Sequence, residues 1–147
     1  MVCNDLGYYM TRINVKAVLI ASVSMFFLDL VSGVLLLPIF SEIHVFDGSS
    51  AEQIDRALTA VTLSSGFLIS TLISGTITTI LGGYLAARIA KKYPYFNAAA
   101  FGVIGIAVSF ILSNNAPLWF DIIGYLSTLP AALYGGHLAK QTTSAKT

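Results

Sequence analysis

The chain has 147 residues and a formal net charge of +1, from eight basic and seven acidic side chains. Only 10 % of it is charged and 56 % is hydrophobic, whereas an ordinary soluble domain carries about 25 % charge. So little charge cannot solvate a globular surface, and disorder needs the opposite composition, so a soluble globule and a disordered chain are both excluded. Bulk charge gives no reason to expect a nucleic-acid partner. Cys3 is the single cysteine, so an intrachain disulfide and a cysteine-based zinc site are excluded as well.

A polytopic membrane protein remains. Four apolar segments reach the length of a membrane-crossing helix, about 20 residues: 17–40, 59–87, 96–113 and 117–139. Continuous apolar runs favour helices over barrel strands, which alternate with period two. The expected fold is therefore all-α, a transmembrane four-helix bundle in which residues 1–147 form one membrane domain. The first run is longer than the apolar region of a cleaved signal, about 7–15 residues. It ends Leu36-Leu37-Pro38-Ile39-Phe40, without a small-x-small cleavage site, and reads as an uncleaved first span. Met10 is an alternative translation start to Met1.

Charge placement sets the expected orientation. Arg12 and Lys16 precede the first segment, Arg88, Lys91 and Lys92 follow the second, and Lys140 and Lys146 follow the fourth. With four spans, all basic residues except Arg56 share one side. Glu42, Asp47, Glu52, Asp55 and Asp121 share the other. The positive-inside rule makes the basic side cytoplasmic and puts both termini there, as two parallel hairpins.

The external loop 41–58 holds Ser49-Ser50-Ala51-Glu52, an S-x-x-E capping box. A helix is expected from there through Leu58, with Ile54 and Leu58 as its apolar side. It either lies at the interface or runs straight into the second span. His44 lies near Glu42 and Asp47, too sparse a set to define a metal site, and neither metal nor cofactor is expected. Pro94 separates the second and third spans. Asn114-Asn115-Ala116-Pro117 reads as an external turn with Pro117 in the first turn of the fourth span. The polar tail after Ala139 is expected to fray.

Small residues form the strongest pattern. In the second span Gly66, Ser70, Ser74, Thr78, Gly82, Ala86 and Ala90 recur every fourth position, beside a second row of Thr71, Gly75, Thr79, Gly83 and Ala87. The fourth span carries Gly124, Thr128, Ala132 and Gly136, and the third Ala98, Gly102, Gly105 and Ser109. Small side chains let helix backbones approach closely, which drives association where lipid is as apolar as protein. Two adjacent rows on one helix exceed what a single neighbour needs. The rows are therefore read either as contacts within the bundle or as an interface with another subunit.

Asp29 interrupts the first span in Phe26-Phe27-Leu28-Asp29-Leu30-Val31. A carboxyl at that depth costs about 2.5–3.5 kcal/mol. Fifteen Leu, Ile, Val and Phe residues in segment 17–40, at about −0.3 to −0.6 kcal/mol each, outweigh it. Ser22, Met25, Ser32 and Gly33 share its face, so Asp29 is expected to face the bundle, with hydroxyls of the second span as partners. It is the functional candidate, as a proton- or cation-linked site or as a contact to a partner subunit. His137 reads as an interfacial histidine near a helix C-terminus. Pro130 is expected to kink the fourth span.

No nucleophile–base pair, phosphate-binding glycine loop or H-E-x-x-H motif is present, so no catalytic residue and no enzyme is expected. The second and fourth spans echo each other at Gly82-Gly83-Tyr84-Leu85-Ala86 and Gly135-Gly136-His137-Leu138-Ala139, with Ser74 and Ser127 eight residues before the first glycine. Gly82 to Ala90 and the Pro130-Ala131-Ala132-Leu133-Tyr134-Gly135-Gly136 stretch resemble small four-span bacterial membrane proteins of undefined activity. That resemblance implies a bacterial inner-membrane location. Two functional expectations follow. One is a non-enzymatic accessory or scaffold subunit, surrounded by lipid and packed against another membrane protein or a second copy through its small-residue faces. The other is a small oligomeric transporter or channel, proton- or cation-coupled, that uses Asp29.

Overall fold

A computed structural model describes residues 12–40, 50–112 and 116–144. Cys3, Met10, Glu42, His44, Asp47, Asn114, Asn115 and Lys146 lie outside the described residues, and so do the expectations that rest on them. Five helices form among the described residues, with no strand: α1 (Val15–Phe40), α2 (Ala51–Thr62), α3 (Ser65–Ala90), α4 (Pro94–Leu112) and α5 (Leu118–Ser144). Helices α1, α3 and α4 are long and apolar enough to cross a membrane. Helix α5 has 27 residues, but Asp121, Ser127, Thr128, Pro130 and His137 dilute its apolar character.

The helix ends show where local chemistry overrides the apolar pattern. Asn14 caps α1, its side chain accepting from the Ala17 N–H at 3.1 Å. The capping box of α2 lies one residue later than Ser49/Glu52. Ser50 Oγ accepts from the Gln53 N–H at 3.4 Å, and Gln53 Oε1 accepts from the Ser50 N–H at 2.9 Å. Glutamine serves this role as well as glutamate does, and Glu52 instead pairs with Arg56 one turn on, at 2.5 Å. Nor does the second span start at 59. The chain breaks at Leu63–Ser64, where Ser64 Oγ caps a new helix by accepting from the Phe67 N–H. The Thr62 hydroxyl meanwhile bonds back to the Leu58 and Thr59 carbonyls. Ser and Thr compete with the helical ladder in this way.

Helix α3 continues past 87 to Ala90 and ends at Lys91, in the left-handed region with φ 58°. Tyr93 (φ 52°) completes the turn, and Pro94 opens α4. Pro117 stands just before α5 rather than inside its first turn, its carbonyl accepting from the Phe120 N–H at 2.9 Å. The tail expected to fray after Ala139 is helical to Ser144. There the Thr142 hydroxyl donates to the Leu138 and Ala139 carbonyls.

The four long helices pack together, with α3 touching all the others and α5 as its main neighbour. Helix α2 touches only the adjoining ends of α1 and α3 and buries no residue. Most of the core lies in one half of the bundle, while Phe67 and Leu68 of α3 are buried at the other end, where Phe67 stacks edge-on against Phe40. The larger part holds Ala17, Val18 and Ala21 of α1, Ala86, Ala87 and Ala90 of α3, Ala98 and Phe101 of α4, and Ala131, Ala132 and Ala139 of α5. Arg12, Lys16, Arg88, Lys91, Lys92 and Lys140 belong to the helix ends on that side, here called the basic end.

Glycines make this half tight. A Cβ on Gly83 would overlap the Ala132 backbone of α5, and one on Gly135 would overlap the Ile80 carbonyl of α3. The two helix backbones therefore touch reciprocally. Around them, a Cβ on Gly82 would strike the Phe101 ring and come within 2.8 Å of Met25 Cγ, and one on Gly136 would come within 2.7 Å of Ala98 Cβ. Asn97, fully buried, locks the basic end. Its Oδ1 accepts from the Asn14 N–H at 2.7 Å, and its Nδ2 donates to the Lys92 and Tyr93 carbonyls at 3.0 Å each. It thereby ties the start of α1 to the α3–α4 turn, bonding the Lys92 carbonyl and adding a second donor to the Tyr93 carbonyl, which also accepts from the Asn97 N–H at 3.2 Å.

Gly83→Ala is expected to destabilise the fold by about 1–3 kcal/mol, the usual cost of overpacking. Gly33→Ala meets nothing within 4 Å and is expected to leave stability unchanged or raised. Circular dichroism melts in dodecyl maltoside compare the two, and equal melting would contradict the backbone contact.

Candidate functional site

Above the tight half the helices part. Helix α1 buries nothing beyond Ala21, and α4 buries nothing beyond Gly102. Asp29 lies just above that boundary. The Thr78 hydroxyl of α3 donates to Asp29 Oδ1 at 2.6 Å, and Thr78 itself is only 5 % exposed. The same hydroxyl stands 3.0 Å from the Gly75 carbonyl, so one hydrogen serves two acceptors. The expectation that a hydroxyl of the second span meets Asp29 thus has a named partner.

Asp29 lines two cavities, of about 480 and 280 Å³. They share Asp29, Thr79, Ser109 and Thr128. The smaller runs between α1, α3 and α5 to Phe120, Asp121 and Tyr125, at the end opposite the basic one. Its walls carry Ser32, Thr71, Thr76, Thr79, Ser127 and Thr128. Most of these hydroxyls spend their hydrogen on their own helix. Thr76 donates to the Leu72 carbonyl at 2.7 Å and Thr79 to Gly75 at 2.7 Å. Ser127 and Thr128 both donate to Gly124, at 3.0 and 2.7 Å, and Ser32 donates to the Asp29 carbonyl at 3.0 Å. A hydroxyl has one donor and two acceptor lone pairs, so these oxygens face the cavity as acceptors, while Thr71 Oγ1, buried without a partner among the described residues, keeps its hydrogen. Two carboxyls, Asp29 and Asp121, complete the wall. Among the described residues no Lys, Arg or His lines either cavity.

The larger cavity is a cleft between α1 and α4. Val23, Phe26, Ile104, Val108, Ile111 and Leu112 form its walls, and Met25 and Phe101 belong to the lining where it meets the tight half. Those two side chains are the ones wedged against Gly82. The glycine contacts therefore close the site on the basic side.

The small-residue rows have internal uses. An every-fourth row slips by about 40° per step on a helix of 3.6 residues per turn, so each row winds around α3. The first row meets α1 and α4: Gly66 faces the Phe40 ring (a Cβ would come within 2.9 Å), Thr78 meets Asp29, and Gly82 meets both Phe101 and Met25. The second row follows α5, through Gly83 against Ala132. Ser70 and Ser74 are half-buried, and Ala86 and Ala132 are fully buried in the core. On α5, a Cβ at Gly124 would touch Leu72 at an ordinary 3.8 Å, Thr128 lines both cavities, and Gly136 abuts Ala98. The small-residue contacts thus fall on neighbouring helices of the same chain. Pro130 is exposed on α5. His137 Nδ1 pairs with the Tyr95 hydroxyl at 2.8 Å, away from the cavities.

Asn97 and Gly135 were not singled out from sequence. A lone asparagine in an apolar segment was a legible signal. Gly135 was visible in the Gly-Gly echo but falls outside the every-fourth row. Comparison with protein-family models, with curated proteins and with solved structures returns no match for this chain.

The cleft should admit a small apolar reagent to Asp29. Dicyclohexylcarbodiimide is expected to modify Asp29 and not the Asp29→Asn protein, as read by peptide mass spectrometry. Absence of an adduct on Asp29 would contradict an open cleft.

Proposed function

We propose that this is a non-enzymatic, multi-pass protein of the bacterial inner membrane that passes a proton or cation through a site centred on Asp29. One observation carries the reading: acceptor oxygens and two carboxyls line a cavity that converges on Asp29, with no basic residue on its wall. Such a wall attracts cations and opposes anions. An ionisable residue within a membrane helix is by default a functional site. With four spans and the basic end cytoplasmic, both termini are cytoplasmic and the Asp121 end of the cavity faces outward. The tight glycine contacts then form the inner seal, and transfer requires α3 and α5 to shift against each other.

The accessory-subunit or homo-oligomer reading is second. The small-residue rows that motivated it meet this chain's own helices. It keeps the support of α1, which fully buries only Ala17, Val18 and Ala21 and exposes one long apolar face, including Val23, Phe27, Leu30 and Val34, to lipid or to another helix.

Reconstitution into liposomes carrying a pH-sensitive dye tests the first reading. Asp29→Asn is expected to lower proton-linked flux by at least about tenfold, or 1.4 kcal/mol in the barrier. Thr78→Ser, which keeps the hydroxyl, should retain flux. Equal flux from Asn and Asp proteins would end the proposal. Co-purification of a stoichiometric larger membrane protein, with no flux from either, would move the assignment to the second reading.

A further inference from the structure

The hydroxyl-lined cavity is sufficient for a proton or a small inorganic cation. The cleft between α1 and α4 is not needed for either, and it is the larger of the two at about 480 Å³. Its size falls within the roughly 300–1,000 Å³ of small-molecule sites. Val23 (68 % exposed), Phe26 (46 %) and Ile111 (76 %) stand at its lips, so it opens sideways, toward lipid in a membrane. Its lining carries one carboxyl, Asp29, whose Oδ1 is held by Thr78, beside the hydroxyls of Ser22, Thr79, Ser109 and Thr128.

We infer that the cleft binds a lipophilic cation, which enters from the bilayer with its charged head against Asp29 and its apolar body along α1 and α4. This deepens the proposed function and rests on reading Asp29 as a cation-linked carboxyl. Charge complementarity selects this occupant. A neutral acyl chain would fill the apolar walls and leave the carboxyl without a counter-charge. An anion would face Asp29 with no basic residue to meet it.

Dodecyltrimethylammonium is the probe, measured by equilibrium dialysis against protein in lipid nanodiscs with empty discs as blank. Neutral dodecyldimethylphosphine oxide is the control for the tail alone. Wild-type protein is expected to retain the cation and not the neutral twin. Asp29→Asn should weaken retention by at least about tenfold. So should Val108→Trp, which fills the cleft and leaves the carboxyl. Size exclusion and circular dichroism verify that both variants are folded. Equal retention of charged and neutral probes, or retention unaffected by both variants, would overturn the inference. If the cation is not retained while Asp29→Asn still abolishes proton flux, the cation-linked reading stands and the lipophilic substrate fails. If Val108→Trp instead elutes as a smaller species than wild type, with no retention by either, the cleft belongs to a second copy.

Discussion

The structure hangs on one close approach, the mutual contact of the α3 and α5 backbones at Gly83 and Gly135. Lipid is as apolar as leucine, so helices in a bilayer are not squeezed together by water; contact area and backbone proximity must hold them. Gly83 and Gly135 remove the side chains that would keep the two backbones apart. Gly82 and Gly136, next to them in sequence, face a different way and admit Phe101 and Ala98 of α4. One Gly-Gly pair on each helix therefore serves two contacts at once. Asn97 fastens the same end with polar bonds to the start of α1 and to the α3–α4 turn.

The open half adjoins the tight half. In the open half the cavity walls hold Leu, Thr, Ser and Tyr together with Gly33, Gly75, Gly105 and Gly124, and a Cβ on Gly33 or Gly75 would meet open space. Asp29 stands at the boundary, one turn beyond Met25, and so receives both a buried partner in Thr78 and an open flank. That position reconciles its cost with its persistence. A carboxyl sealed in hydrocarbon would be destabilising, while one at the junction of a hydroxyl-lined cavity and an apolar cleft has a polar surrounding on one side. The two threonines that bond the Gly75 carbonyl and the Ser127–Thr128 pair that bonds Gly124 shape that surrounding in the same way on both helices.

Composition and apolar run length were enough to read the helical class and the approximate extent of every long helix. Asp29 and its hydroxyl partner were legible because a lone carboxyl in an apolar helix has few places to go. The small-residue rows were legible as contact surfaces but not as contacts with particular neighbours. Spacing of four is close to the helical repeat without equalling it, so a row that looks like one face in sequence winds from one neighbour to the next. Helix boundaries were misread where side chains compete for backbone groups: Ser64 starts a helix inside an apolar stretch, and Gln53 rather than Glu52 completes a capping box. The reciprocity of Gly83 and Gly135 depends on the register between two helices far apart in sequence, which neither helix records alone.

A two-ended bundle, sealed at the basic end and open at the other, has a direct signature in aqueous accessibility. In a Cys3→Ser background, single cysteines at Thr76, which lines the hydroxyl cavity, and at Ala87, 3 % exposed in the core, would be challenged with a membrane-impermeant maleimide. The reagent would be applied from each side of oriented vesicles. The cysteine at 76 should react from the side opposite the basic residues only, and the cysteine at 87 from neither side. Labelling at 76 from the basic side, or labelling at 87 at all, would contradict the seal on which the site depends.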